Sequence, residues 1–421
     1  MQPTAALIKA ATAAVDLVLP LAHPADAVLR NFFSVNHELG GHDRAFVAET
    51  VFTVLRHKRL LESLIAHRTP RKLVLGSLLK LQGYSLGQLD FLLKTEDRDW
   101  AVQLKSADVE SLPPAVRLSL PDWLYEHLVA EYTEQEAVAF GRAMLKSAPL
   151  DLRVNTLVAD RDHVLEELRA SGFAAEPTRW SPIGIRLAGK PAINRHPLFT
   201  RGAVEVQDEG SQLLGYLVAP KRREMVVDFC AGAGGKTLMM GALMQSSGRL
   251  YAFDVSEKRL NNFKPRLKRS GLSNVHPQLI QGENDIKVKR LTGKIDRVLV
   301  DAPCSGLGTL RRNPDLKWRQ SPEGLVELSA KQRAILNGAA ILLKPGGRLV
   351  YATCSVLPVE NQAIIEEFLG DHGEFQAMSC QKILDEQAIA LESGVFLELL
   401  PQRHDTDAFF AAVLERRPHP I

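Results

Sequence analysis

The chain has 421 residues, 45% hydrophobic and 24% charged, an ordinary balance for a globular protein of two or three domains. A net charge of +3 is too small for a global field to gather a polyanion, so any such contact must come from local basic patches. Lys9 and Asp16 interrupt the first apolar stretch, which excludes a secretory h-region or a membrane span there and predicts a cytoplasmic protein with no membrane partner.

Residues 1–145 read as helical throughout. Apolar residues recur at helical spacing over 7–19, 45–64 and 73–81, punctuated by Pro20, Pro24, Gly40, Pro70, Gly83 and Pro113. Basic side chains gather at Arg56, His57, Lys58, Arg59, His67, Arg68, Arg71 and Lys72. Such a run is either a solvated helix face or a phosphate-binding one. Residues 146–221 change to short alternations, with strands predicted at 152–157, 184–187 and 203–206 and a helix at 162–170. The pattern predicts a small α/β module, half of a ferredoxin-like unit. From 222 to 421 strand and helix alternate regularly. Strands are expected at 225–229, 250–253, 298–300 and 348–352, helices at 236–244, 258–269 and 326–343, and a closing hairpin at 395–400 and 407–413. That order implies a doubly wound, mostly parallel sheet. The fold class is therefore multidomain α + α/β.

Two strand ends draw the eye. Val298-Leu299-Val300 is a branched apolar run suited to a strand buried on both faces, and it ends in Asp301-Ala302-Pro303-Cys304-Ser305-Gly306. Tyr351-Ala352-Thr353-Cys354-Ser355 repeats the pattern fifty residues later. Carboxyl ends of strands are where open α/β sheets hold ligands. The four cysteines, Cys230, Cys304, Cys354 and Cys380, all lie in the second half, with neither a CxxC pair nor a His/Cys cluster at ligand spacing. They read as reduced thiols, and no metal is expected.

The loop Cys230-Ala231-Gly232-Ala233-Gly234-Gly235-Lys236-Thr237 follows the first strand of this region and opens a helix, so its amides can approach a ligand closely. A P-loop needs glycine where Cys230 stands, and a dinucleotide fingerprint needs a small residue where Lys236 or Thr237 stands. An adenosyl cofactor without phosphates remains, with Asp254 at the next strand end placed for both ribose hydroxyls. The ATPase alternative gains from Asp301 as a strand-end metal ligand, but leaves both cysteines unexplained.

Two thiols and an acid beside an adenosyl site suit one chemistry well. Carbon-5 of cytosine is a poor nucleophile until a thiolate adds to carbon-6, and a carboxyl group at nitrogen-3 draws off the charge that develops. The bland alternative is that both cysteines are small apolar fillers. The residues alone do not choose between the two thiols.

These motifs resemble those of the Sun (Fmu) family of RNA 5-methylcytosine methyltransferases. So do Arg311-Arg312-Asn313-Pro314-Asp315-Leu316-Lys317-Trp318, Pro358-Val359-Glu360-Asn361, Asp407-Ala408-Phe409-Phe410, Leu152-Arg153-Val154-Asn155-Thr156 and Val206-Gln207-Asp208. The resemblance implies S-adenosylmethionine as cofactor, Cys354 as nucleophile, Cys304 in product release, and Asp301 touching both cytosine and cofactor. It places the cofactor against Cys230–Lys236, Asp254, Arg259, Glu283 and Asp301. Two departures are visible: Gly232-Ala233 stands where Ala-Pro is usual, and Glu283 where Asp is usual. Asp43-Arg44-Ala45-Phe46-Val47 and Val54-Leu55-Arg56 resemble the NusB-like RNA-binding domain of bacterial members that act on small-subunit ribosomal RNA. That likeness turns the cluster from Arg56 to Lys72 into an expected RNA face, with further basic groups at 258–269, 287–294 and 311–319. The expected protein is a monomeric, cytoplasmic RNA methyltransferase with a Rossmann-like catalytic domain. Its rival is an inactive RNA-binding or ribosome-assembly factor on the same fold.

Overall fold

The computed structural model describes residues 3–418, apart from the side chains of Thr95 and Glu96. The chain divides into two compact units, one running through Ser147 and including Thr309–Pro322, the other holding Ala148–Gly308 and everything from Glu323 onward.

The first unit is helical. Ala5–Val18, Gly41–Arg56 and Pro70–Lys80 bury one shared core around Val15, Val51, Val54, Leu75 and Leu78. Thr4 and Thr69 cap two of these helices by accepting from backbone amides. The single helix expected over 45–64 is in fact two, Gly41–Arg56 and Lys58–Leu64, broken at His57. The exposed carbonyls at that break are filled from far along the sequence. Lys317 donates to the Arg56 carbonyl at 2.8 Å and the Trp318 indole to that of Leu55 at 2.8 Å. In return the Arg56 guanidinium donates to the Arg311 carbonyl at 3.1 Å.

This overturns part of the expected RNA face. Arg56 is 5% exposed, Arg311 4% and Lys317 1%. Arg59 is tied to the Leu120 carbonyl at 2.6 Å and to Asp122 at 2.7 Å, and Arg71 to Asp97 at 2.9 Å. Lys58 pairs with Glu62, while Lys72 lies over the Trp100 ring. His67 and Arg68 stay exposed. A run of basic letters cannot reveal which cations are spent on carbonyls 255 or 261 residues away. Arg56→Ala should therefore destabilise the chain by about 2 kcal/mol, because it strands a buried carbonyl and removes packing. The salt slope of RNA binding should stay put. Thermal melting and a salt titration check the two halves separately.

The second unit carries both sheets. Leu150–Val154, Ala175–Pro177, Gly184–Leu187 and Val204–Val206 make a four-stranded antiparallel sheet. The larger sheet runs Phe375–Met378, Phe409–Arg416, Leu343–Thr353, Ile295–Asp301, Met225–Asp228, Arg249–Asp254, Val275–Leu279, with Leu397–Leu399 pairing onto Phe409–Arg416. Its five strands from Leu343–Thr353 to Val275–Leu279 are parallel, and the remaining pairings are antiparallel. The Rossmann-like expectation holds. Val275–Leu279 and Phe375–Met378 were not foreseen, because Pro277 and the polar residues in both hide the strand pattern. Strand order reverses at Met225–Asp228, which lies between Arg249–Asp254 and Ile295–Asp301. That reversal opens the crevice where such sheets hold ligands.

Candidate active site

At the reversal lies a cavity of about 560 Å³. The glycine loop forms its floor, with Cys230, Ala231, Gly232, Ala233, Gly235 and Lys236 lining it. Gly234 does a different job: its φ is +81° and a Cβ there would sit 2.1 Å from the Phe263 ring, so only glycine lets the loop close onto the sheet. Two arginines hold the loop by its carbonyls. Arg266 donates to Ala233 at 2.6 Å, and Arg153, from the small sheet, to Gly235 at 2.5 Å. The small sheet thus braces the loop directly.

Asp254 ends its strand at the cavity and is 3% exposed. It accepts from the Gly232 amide at 2.8 Å and the Ser256 amide at 2.7 Å, with Arg259 3.4 Å away. Glu283 lines the far side, and Gly338 makes room for it: a Cβ on Gly338 would come within 2.5 Å of the Glu283 Cβ. Asp301 lines the same cavity and takes the Lys236 ammonium at 2.7 Å. Burial would push that ammonium's pKa down, but Asp301, then Cys354 and Asp228, more than offset it and hold it above the usual lysine range. A lysine so engaged is poorly placed to meet a phosphate.

Several lining residues were not foreseen as site residues. Asp228 ends the central strand; Thr237 donates to its Oδ2 at 2.6 Å, and its buried Oδ1 has no partner. Burial raises its pKa to about 7. Val255, 52% exposed, and Ile280 and Ile335 add apolar wall. Gln207, Arg266 and Lys331 come from distant segments. Asp228 had a readable signal, an acid at the end of a buried strand; the others had none.

Beside Asp301 the two thiols meet. Cys304 Sγ and Cys354 Sγ are 3.4 Å apart, and all four cysteines are free. The hydrogen bond with Cys354, reinforced by burial, raises the Cys304 pKa well above the usual thiol range. Burial does the same to Cys230. Asp301 pairs with Ala352 across the parallel strands, which brings the two turns level. The Cys354 carbonyl accepts from the Gly308 amide at 2.8 Å. Of the expected site residues, the structure gathers all but Cys304, Cys354 and Gly234 around one cavity. It sets the two thiols against each other at the turns just beyond.

The comparisons converge. The family described as 16S rRNA methyltransferase RsmB/F matches residues 215–415, and a RsmF/B-like ferredoxin-like domain matches 120–194. A probable ribosomal RNA small subunit methyltransferase B from Synechocystis is 33% identical over 90% of this chain and 93% of its own. The crystal structure of PH0851 superposes at TM-score 0.80, 26% identical, over 99% of both chains. NSun6 from Pyrococcus horikoshii, solved with SFG, an analogue of S-adenosylmethionine, shares the fold at TM-score 0.63 and 20% identity, over 70% of this chain and 98% of its own.

Proposed function

Since this chain belongs to the RsmB/F family of 16S rRNA methyltransferases, we propose that it methylates carbon-5 of a cytosine in small-subunit ribosomal RNA, acting as a cytoplasmic monomer through a covalent cysteine–cytosine adduct. The observation that carries the reading is the pair of thiols 3.4 Å apart beside Asp301.

The cavity suits S-adenosylmethionine on three grounds. Asp254 presents a buried carboxylate, Asp228 Oδ1 lacks a donor, and Val255, Ile280 and Ile335 offer apolar wall for a purine. Cys230 to Lys236, Arg259 and Glu283 complete the set. The cofactor supplies an electrophilic methyl group. Its removal of a phosphate requirement fits a loop whose lysine is already paired with Asp301.

The chain's own residues divide the remaining work. Cys354 adds to carbon-6 of the base, forming a carbon–sulfur bond and enriching carbon-5. Asp301 hydrogen-bonds the ring, and Lys236 holds Asp301 in place. Cys354 gives its proton to water as it adds, while the hydrogen bond with Cys354 and burial keep the proton on Cys304; once the Cys354 sulfur is bonded to carbon, Cys304 loses its proton to water in turn. It then takes the proton from carbon-5. Electrons of the carbon–hydrogen bond restore the 5,6 double bond, and the carbon–sulfur pair returns to Cys354.

The test is methyl transfer from labelled S-adenosylmethionine to 16S rRNA, with 5-methylcytosine identified by nucleoside mass spectrometry. RNA binding with no label incorporated would favour the assembly-factor reading instead. Asp254→Ala should weaken S-adenosylmethionine binding by roughly 1.5–3 kcal/mol for each charge-assisted hydrogen bond lost. Calorimetry returning the wild-type dissociation constant would take Asp254 out of the cofactor site.

A further inference from the structure

We infer that Glu360 is the positioning residue that holds Cys304 and Cys354 against each other, an assignment that rests on the two-thiol reading above. Glu360 lies in the short turn Pro358–Glu360 and is fully buried, at 0% exposure. One carboxylate reaches both cysteine turns. Its Oε1 accepts from the Ser305 amide at 2.8 Å and from Gln332 Nε2 at 3.0 Å. Its Oε2 accepts from the Ser305 hydroxyl at 2.5 Å and from the Ser355 hydroxyl. Ser305 follows Cys304, and Ser355 follows Cys354.

The sheet alone does not supply this connection. The ladder between Ile295–Asp301 and Leu343–Thr353 ends at the pair Asp301–Ala352, so both cysteines lie past its last register point. Beyond it the turns need another tie. Gln332 strengthens the tie by donating also to the Pro303 carbonyl at 3.0 Å, and the Tyr351 hydroxyl fixes the Glu360 carbonyl at 2.7 Å. Asn361 holds the second turn from the next position, donating to the Ser355 carbonyl at 3.1 Å and accepting from Thr353 Oγ1 at 2.5 Å. A buried carboxylate is costly unless donors surround it, and a filler could as well be apolar. Here its donors are the residues next to each thiol.

The consequence is a preset sulfur–sulfur distance. Cys304 acts at carbon-5 only if it stays beside the sulfur bonded to carbon-6, and a displacement near 1 Å is worth on the order of a hundredfold in rate. Glu360→Gln keeps the shape and the Oε1 contacts but removes the charge. It should lower kcat by roughly 10- to 100-fold while KM for RNA and cofactor affinity stay within about twofold. In a Cys304→Ala background the same change should cost much less, since one of its two clients is gone.

Thiol alkylation without RNA or cofactor gives an independent readout. The charged and titratable groups around the pair are Lys236, Asp301, Glu360, Tyr351 and Cys230. In the wild-type protein Cys304 should resist alkylation until high pH, as peptide mass spectrometry resolves, and in Glu360→Gln it should react at lower pH. Ser305→Ala removes one hydroxyl only and carries the same comparisons if Glu360→Gln fails to fold. An unchanged pH profile for Cys304 alkylation, or a full multiplicative loss of kcat in the Cys304→Ala background, overturns the assignment. Wild-type protein that alkylates as described yet transfers no methyl group overturns the proposed reaction instead, and leaves the tie between the thiols standing.

Discussion

Cys354→Ala is expected to lower methyl transfer by on the order of a thousandfold or more, the scale on which removing a covalent nucleophile acts. Cofactor affinity should be nearly unchanged, because the glycine loop, Asp254 and Glu283 line the cavity while Cys354 sits at the turn beyond it. Thermal stability should also hold, since the side chain is half-buried and small. The physical ground is the proposed reaction, in which the bond to carbon-6 forms on the Cys354 sulfur, while the hydrogen bond with Cys354 and burial raise the Cys304 pKa and keep its proton on. No protein–RNA adduct should form. Turnover within tenfold of wild type would remove Cys354 from the nucleophile's role.

Cys304→Ala should produce the opposite phenotype. In the proposed reaction, addition and methylation need Cys354, Asp301 and the cofactor, whereas release needs a group at carbon-5, and Cys304 sits 3.4 Å from the Cys354 sulfur. The expected result is a stalled covalent complex, seen as a slow-migrating band on a denaturing gel with labelled RNA and cofactor. Multiple turnover should fall by roughly two to three orders of magnitude, while a single round of methyl incorporation survives. An adduct that accumulates with Cys354→Ala and not with Cys304→Ala would exchange the two roles.

The helical unit teaches a different lesson about basic residues. Arg56, Arg59 and Arg71 read as one patch with Arg68, yet all four donate to carbonyls or carboxylates, and Arg68 alone of them stays exposed. The segment Thr309–Pro322 reads as part of the catalytic region and instead packs into the helical unit, with Lys317 1% exposed. Burial pushes the Lys317 ammonium well below its usual range, a state that no count of charges would suggest. An RNA contact from this unit must be sought on side chains that remain open, such as His67 and Arg68.

By itself the sequence determined the parallel core and where its polar groups gather. Buried strands must be apolar along their length and must stop where polar residues begin, so Asp254, Asp301, Cys304 and Cys354 announced themselves at strand ends. Loop glycines announced a close backbone approach, and Gly234 shows why, with no room for a Cβ beside Phe263. Only the tertiary structure decided that the two thiols meet, because their contact joins sulfurs fifty residues apart in the chain. It alone decided that Asp228 carries an unpartnered oxygen, that Arg153 braces the glycine loop and that Glu360 joins both cysteine turns. Periodicity reports which face of an element is apolar. It carries no information on which distant donor reaches which acceptor, and in this protein those long-range hydrogen bonds join the two turns that carry the thiols.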